Sequence, residues 1–394
     1  MLPPGLQGRH DVTFRVELTE REQVLVDAAA RFTDIEILPN AARWERERIY
    51  PREAQKKAAA LGLAGILAAK DAGGQGGNVT AACRIFEELA RGCMAFTFGL
   101  VVHNNFVLSI AQNGSDAQKA KYLPDMLSCQ KIGTFLLTEP GVGSDAAAVQ
   151  CRAIPDGEGW RIEGEKAWIS SASDAEILSL YAQADPEKGS RGLMAFTLEA
   201  DREGVERAEP YAMAGGHALG TGGFRFHGAR VTREDVLIPE GQGFRAAMAG
   251  IDSARVYVAA MSTGMMRQAL DDALAYVEQR PAFGQTLADF QGLQWMLADA
   301  ATDLEATRLL TYSAAAKLDA GEDATMAAAH AKKFATRACL ARLADCMQVM
   351  GANGFRLDVP AARHLATSKM SQWMDGATEI QNVVLSRGLR KGLR

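Results

Sequence analysis

The chain has 394 residues, of which 48% are hydrophobic and 23% charged, and its formal net charge is −5 at pH 7. This mixture is that of an ordinary globular protein, and the weak negative charge gives no reason to expect nucleic acid as a partner. A chain of this length exceeds one ordinary hydrophobic core, so two or three domains are expected.

The sequence also bears on location and on metal chemistry. The N-terminus has no apolar run long enough for a signal peptide, and no 18-residue apolar stretch is expected elsewhere. A cytoplasmic protein without a membrane partner is therefore predicted. The six cysteines lack CxxC spacing and the six histidines lack HxxxH or HxxE spacing, so neither a disulfide framework nor a metal site is predicted.

Residues 1–130 form the first predicted domain, which is helical throughout. Thr19 and Glu22 match a capping box, and apolar residues then recur at helical spacing until Pro39, where the first helix is predicted to end. A further helix is predicted near 79–90, where apolar residues again recur at helical spacing.

Residues 131–245 form the second predicted domain, a β-barrel-like one. Six of the twelve prolines fall between positions 124 and 239, and short β-like runs alternate there with turn residues. The predicted strands lie near 152–154, 160–162, 177–181, 193–198 and 224–226.

Residues 246–394 form the third predicted domain, a four-helix bundle. No proline occurs between Pro281 and Pro360, and the composition favours helices of roughly 25 to 30 residues, each about 40 Å long. Helices this long and apolar bury one face in their own bundle and another against a second subunit, so an oligomer is predicted. The fold class is thus α+β, with helical, β and helical domains in order.

A glycine-rich segment, GVGSDA at 141–146, follows the strand-like TFLLT. A dinucleotide-binding fold would continue with an amphipathic helix and a parallel strand, whereas β-rich sequence follows, so that fold is disfavoured. Ser144 lacks the following x-Gly of a nucleophile elbow, which argues against a serine hydrolase. A loop that contacts phosphate through backbone amides stays open.

Five segments together carry a resemblance that spans nearly the whole chain. They occur in the order and spacing of the acyl-CoA dehydrogenase family: LLTEPGVGSD (136–145), GEKAWIS (164–170), RPAFGQTLADFQGLQ (280–294), QVMGANGF (348–355) and DGATEIQ (375–381). The resemblance implies FAD-dependent dehydrogenation of an acyl-CoA thioester to the 2,3-enoyl-CoA. It also implies a homotetramer built as a dimer of dimers, with an electron-transferring flavoprotein as electron acceptor.

The same resemblance implies two groups of FAD-binding residues. In the middle domain they are Phe135, Leu137, Thr138, Gly143, Ser144, Trp168, Ile169 and Ser170. In the C-terminal domain they are Arg280, Phe283, Gln291, Gln348, Val349, Gly351, Ala352, Ala377 and Glu379. Trp168 and Ser170 resemble the pair beside the flavin ring, while Arg280, Phe283 and Gln291 resemble residues that reach the FAD of a neighbouring subunit.

The resemblance further implies a catalytic base, Asp375, where family members carry glutamate. The implied substrate-binding residues are Ser144, Asp252, Arg255, Met374 and Gly376. Some members place their acid on the helix that contains Arg255, one residue earlier, but that position here is Ala254. The pair Asp375-Gly376 interrupts a stretch that otherwise resembles one long helix, and we expect the backbone to open there so that the carboxylate faces a ligand.

An aspartate carboxylate reaches about 1.5 Å less far than that of glutamate, a misplacement that can cost about 10²-fold in rate. Three outcomes compete. The ligand sits closer to the aspartate, as a bulky, cyclic or branched acyl group requires; the enzyme catalyses a different reaction; or the catalytic site is weakened. The alternatives are a flavin oxidase resembling nitroalkane oxidases, a dehydrogenase of acyl groups on an acyl carrier protein, and a flavoprotein without catalysis. A base in an apolar cavity is expected to have a raised pKa.

Overall fold

A computed structural model describes residues 16–392 of the chain. The N-terminal part is helical, as predicted. Its α-helices are α1 Glu20–Phe32, α2 Leu38–Glu47, α3 Arg52–Ala60, α4 Val79–Gly92, α5 Met94–Asn113 and α6 Asp116–Leu127.

The first helix begins as predicted but does not end at Pro39. The Thr19 side chain accepts a hydrogen bond from the Glu22 N–H at 3.3 Å, and Glu22 Oε2 accepts one from the Thr19 N–H at 2.8 Å, which completes the capping box. The helix then continues through a π-helical turn, Thr33–Ile37, into α2. The prediction of a stop was wrong because the π turn changes the hydrogen-bond register just before Pro39, where the missing N–H is tolerated.

Helix α5 corrects a second expectation. Among the described residues it is long and apolar enough to cross a membrane by length and composition, so the expectation of no such stretch was wrong. However, 72% of its most apolar 18-residue window is buried inside the protein. Phe106, Val107 and Ile110 of α5 pack in one core with Ile177 and Tyr181, which is the environment of a core helix.

The middle part of the chain forms a β-sheet. Its strands are β1 Gly133–Leu136, β2 Arg152–Asp156, β3 Gly159–Ile169, β4 Ile177–Gln183, β5 Leu193–Glu199, β6 Val205–Arg207, β7 Gly222–Val231 and β8 Val236–Ile238. They pair in the order β6-β7-β3-β2-β4-β5-β8, and β1 pairs in parallel with β4. Buried Leu180, Phe196 and Phe226 contribute to its core, which confirms the predicted β region.

The C-terminal part is a helical bundle, as predicted. Its elements are α7 Gly243–Ala249, α8 Ile251–Gln279, the short strands β9 Pro281–Ala282 and β10 Gln285–Thr286, then α9 Gln291–Asp319, α10 Thr325–Met350, α11 Pro360–Ser371 and α12 Thr378–Gly392. Helices α8 and α9 have 29 residues each and α10 has 26, within the predicted range.

The described residues fall into two compact units that are interleaved along the sequence. One contains the residues up to Ala42, Val79–Met94 and those from Arg255 onward, and is helical. The other contains Arg43–Asn78 and Ala95–Ala254, and includes the sheet. The domain boundaries at 130 and 245 stay predictions.

Candidate active site

The Asp375-Gly376 pair lies in a turn between two helices. Helix α11 ends at Ser371 and α12 begins at Thr378, so the long helix is opened, as expected. Asp375 has φ of 49° and Gly376 has φ of 95°, and both angles lie in the left-handed region. Aspartate tolerates this region better than most residues, and glycine has no Cβ to oppose it.

The carboxyl of Asp375 has an unusual environment. Its Oδ2 atom is buried without a hydrogen-bond partner, although the residue as a whole is half-buried. Burial raises the pKa of Asp375, and the cations of Lys332 and Arg255 offset only part of this effect. A carboxyl with a raised pKa and an available oxygen has the properties of a general base.

The structure brings Asp375, Gly376 and Arg255 together. Arg255 is buried near the start of α8, and a Cβ added to Gly376 would lie 3.7 Å from its Nη2 atom. Ala254 is also buried, so the alternative acid position is occupied by an apolar side chain. Met374, the residue directly before Asp375, is half-buried.

Sequence reasoning missed Lys332, which contacts the same turn. Its side chain on α10 is 1% exposed, and its Nζ atom donates to the carbonyl oxygen of Gly376 at 2.6 Å and to that of Gln372 at 3.4 Å. A signal existed, because Lys332 falls at helical spacing with buried Ala328 and Ala335. A lysine on an apolar stripe is rarely buried without a polar partner.

In the other unit, a buried ion pair holds the glycine-rich loop. Lys166 Nζ donates to the Leu137 carbonyl at 2.9 Å and to Glu139 Oε1 at 2.8 Å. The Glu139 carboxylate also accepts from the backbone N–H of Gln150 at 2.8 Å and of Cys151 at 2.9 Å. Both ends of the loop are thereby fixed. Glu139 and Lys166 lie in the family segments 136–145 and 164–170, but the sequence alone did not assign them this role.

The middle of this loop is open. Gly143 and Ser144 are exposed, and a Cβ added to Gly141 or Gly143 would meet no atom within 4 Å. Thr138 is half-buried and its carbonyl accepts from the Ala167 N–H at 3.0 Å, which links the loop to β3. A loop with fixed ends and an open surface suits backbone contact with a ligand phosphate.

Trp168 lies beside this loop in a strained conformation. Its φ is 59°, its side chain is 62% exposed, and the register of β3 against β7 shifts between Lys166 and Ile169. Its ring lies 4.7 Å from that of Tyr211, a residue that the sequence reasoning did not single out. Strained backbone of this kind clusters at functional sites. Ser170 is half-buried, whereas Ile169 faces the sheet core and offers a ligand only its backbone.

The other predicted FAD residues lie mainly on surfaces. The side chain of Phe135 is 37% exposed, and Leu137 is half-buried against the sheet. In the helical unit the exposed residues are Arg280, Phe283, Gln291, Gln348, Gly351, Ala352 and Glu379, while Ala377 is half-buried and Val349 is buried. Asp252, assigned to substrate binding, is half-buried at the start of α8.

Three family models match this chain consecutively. The N-terminal domain of acyl-CoA dehydrogenases matches residues 19–130, the middle domain matches 134–229, and the C-terminal domain matches 241–389. The chain belongs to the acyl-CoA dehydrogenase family. This confirms the resemblance to the family, the fold class and the assignment as an oxidoreductase that acts on CH–CH bonds.

Individual proteins agree with the family models. The short-chain specific acyl-CoA dehydrogenase of Bos taurus, a mitochondrial protein, is 34% identical over all of this chain and 95% of its own length. The isobutyryl-CoA dehydrogenase of Dictyostelium discoideum is 33% identical over 95% of this chain and 91% of its own. The structure of butyryl-CoA dehydrogenase from Megasphaera elsdenii superposes with a TM-score of 0.91 at 32% identity, over 97% of this chain and all of that one. The cytoplasmic location stays a prediction.

Family members are flavoproteins, and the cofactor is FAD, as predicted. The residues present fit such a group. In the unit with the sheet, the open loop around Gly143 and the exposed ring of Trp168 are features that a bound cofactor would cover. In the helical unit, the unpartnered Oδ2 of Asp375 is an atom that a bound ligand would satisfy.

Proposed function

We propose that this acyl-CoA dehydrogenase oxidises a bulky, branched or cyclic acyl group on CoA to the 2,3-enoyl thioester, with Asp375 as the base. The observation that carries the proposal is the left-handed turn that buries one oxygen of Asp375 without a hydrogen-bond partner. The similarity to an isobutyryl-CoA dehydrogenase supports a branched substrate.

The residues of the turn account for the proton transfer. The carboxylate of Asp375 takes the proton from Cα, and the electron pair of that C–H bond forms the double bond to Cβ. When bound, FAD supplies the two-electron acceptor for the hydride that leaves Cβ. Lys332 and Arg255 stabilise the ionised carboxylate in its buried position, so that it is available as a base.

The short side chain of the base supports the choice of substrate. An acyl chain must lie about 1.5 Å closer to aspartate than to glutamate for the same proton transfer, and an error of that size can cost about 10²-fold. Met374 precedes the base, and the flexible thioether of methionine adapts to irregular shapes. The shorter side chain of Asp375 also leaves room for the extra carbon of a substrate that is branched or cyclic at Cα.

The test is anaerobic mixing of the holoprotein with straight, branched and cyclic acyl-CoAs, following the loss of oxidised flavin absorbance. We expect branched or cyclic thioesters to reduce the flavin fastest. Oxygen consumption with nitroalkanes would favour a flavin oxidase, and faster reduction by acyl groups on an acyl carrier protein would favour that carrier. If the protein binds FAD but no thioester reduces the flavin, the result would favour a flavoprotein without catalysis.

We also propose the homotetramer, a dimer of dimers, as the working assembly. Several large side chains of the helical unit are strongly exposed, an arrangement typical of surfaces covered by another subunit: Phe283 97%, Trp295 61%, Leu309 47% and Phe355 81%. Phe283 stands at the tip of the β9-β10 hairpin with φ of 52°. Light scattering of the purified holoprotein tests this assembly, and a monomeric mass would contradict it.

Family membership supports an electron-transferring flavoprotein as the oxidant, which we propose as the partner of the reduced enzyme. Rapid reoxidation of the substrate-reduced enzyme by such a flavoprotein is expected under anaerobic conditions. Reoxidation by dissolved oxygen at the higher rate would contradict the proposal.

A further inference from the structure

Lys332 contacts the turn that carries Asp375, and its role there rests on the proposed function of Asp375 as the base. Both Lys332 hydrogen bonds go to backbone carbonyls that flank Asp375, one before it at Gln372 and one after it at Gly376. Gln372 caps the end of α11, where carbonyl groups lack helical partners. One ammonium group therefore joins the two ends of the turn.

The Gly376 carbonyl is held twice. It accepts from Lys332 Nζ at 2.6 Å and from Gln381 Nε2 at 2.9 Å, so the turn is joined to both α10 and α12. Because Lys332 is a charged donor at the shorter distance, its hydrogen bond to the Gly376 carbonyl is the stronger of the two. Removing its side chain would leave two partly buried carbonyl groups with fewer donors, which loosens the turn.

The charged groups around the base come from three helices. Lys332 lies on α10, Arg255 on α8 and Glu379 on α12, and the two cations favour the ionised form of Asp375. Burial lowers the pKa of Lys332 to about 8, and the charge of Asp375 opposes this change. Each buried charge thus makes the other less costly.

We propose that Lys332 is a positioning residue for the Asp375 base, fixing the turn through two carbonyls and placing its ammonium charge beside the carboxylate. The proposal separates into a mechanical and an electrostatic part. Lys332→Gln keeps hydrogen-bond donors but removes the charge, Lys332→Met removes both, and Lys332→Arg keeps the charge. Lys317→Gln makes the same change of charge as a control, at a half-buried lysine of α9 that pairs with Glu322.

Hydrogen exchange of the holoprotein tests the mechanical part. Peptides that cover residues 372–381 are expected to exchange several-fold faster in Lys332→Met than in the wild type, while Lys317→Gln leaves them unchanged. Unchanged exchange in Lys332→Met would overturn the claim that Lys332 fixes the turn.

The pH dependence of single-turnover flavin reduction tests the electrostatic part. Loss of a neighbouring cation raises the pKa of a carboxyl, so Lys332→Gln is expected to move the acidic limb of the profile upward by about one pH unit. Lys332→Arg is expected to return it toward the wild-type position. A purely structural role would lower stability and FAD content without moving this limb, and that result would overturn the electrostatic claim.

A double-mutant cycle decides the inference without any turnover. Urea unfolding is measured for Asp375→Asn, Lys332→Gln and the double variant. Because Lys332→Gln leaves Arg255 as the remaining neighbouring cation of Asp375, Asp375→Asn is expected to raise the unfolding midpoint more in Lys332→Gln than in the wild type. Additive midpoints would overturn the pairing. If no acyl-CoA reduces the flavin, the proposed function fails, while hydrogen exchange and the cycle still judge Lys332.

Discussion

Two buried carboxylates in the helical unit have opposite surroundings. Glu87 on α4 is fully buried, and its oxygens lie 3.0 Å from Arg308 Nη2, 3.1 Å from Arg84 Nη1 and 2.6 Å from the Tyr312 hydroxyl. Burial alone raises the pKa of Glu87, but Arg84, Arg308 and Arg267 outweigh it and hold the pKa far below its usual range. For Asp375 burial prevails, and its pKa is raised.

The difference shows how a structural carboxylate differs from the carboxyl that we propose as the base. Glu87 has a donor for each oxygen, so protonating it would disrupt a satisfied network. Asp375 has an oxygen without a donor, and a proton there meets little opposition. The balance between burial and the neighbouring cations and donors therefore decides how readily a buried acid accepts a proton.

The largest expected effect is on catalysis. Asp375→Asn should lower the rate of flavin reduction by about 10² to 10⁴-fold, because the amide cannot accept the proton. Stopped-flow reduction by the best acyl-CoA measures it, and an unchanged flavin spectrum shows that the fold is retained. Reduction at the wild-type rate would mean that another group is the base.

The next effect is on stability. Glu87→Gln should lower the free energy of unfolding by about 3 to 5 kcal/mol, because it leaves buried arginines without their counter-charge. Urea denaturation measures it, with the exposed Glu278→Gln on α8 as control. A loss as small as that of the control would show that the Glu87 network is not stabilising.

The two acids should also respond oppositely to pH. The lowered pKa of Glu87 means that its stabilising contribution is present above the unfolded pKa and is lost as the pH falls. The raised pKa of Asp375 means that its contribution is lost as the pH rises through the folded value. Asp375→Asn should therefore stabilise the protein more at pH 8 than at pH 5, as urea midpoints at both pH values will show. An equal effect at both would contradict the raised pKa.

The smallest effect is on selectivity. Asp375→Glu adds one methylene and should shift the preference from branched toward straight acyl-CoAs by about tenfold, the size of discrimination that a methylene provides. The ratio of single-turnover rates for the two substrates measures the shift. An unchanged ratio would show that the length of the side chain at position 375 does not determine the preference for branched acyl-CoAs.

The sequence predicted what depends on local pattern. The capping box at Thr19, the strands and the break at Asp375 follow from residue type and spacing. No 18-residue apolar stretch was expected, yet helix α5 contains one, and its composition matches that of a buried core helix. The π turn before Pro39 was missed because its register depends on packing rather than on the proline alone.

The part of the site that escaped prediction depends on distant contacts. Lys332 lies 44 positions before Gly376, and Lys166 lies 27 positions after Glu139. The apolar spacing around Lys332 indicates that its side chain is buried, but it does not show which distant groups the lysine contacts. Those contacts are a property of the folded chain.

The backbone conformation of Trp168 affects the stability of the protein without its cofactor. A left-handed tryptophan costs about 1 to 3 kcal/mol and exposes its ring to water, so it weakens the chain without ligand. A flavin bound as the family resemblance implies would cover the ring and add binding energy only to the folded state. Addition of FAD to the apoprotein is then expected to slow its unfolding, so that cofactor supply and the lifetime of the folded chain are coupled.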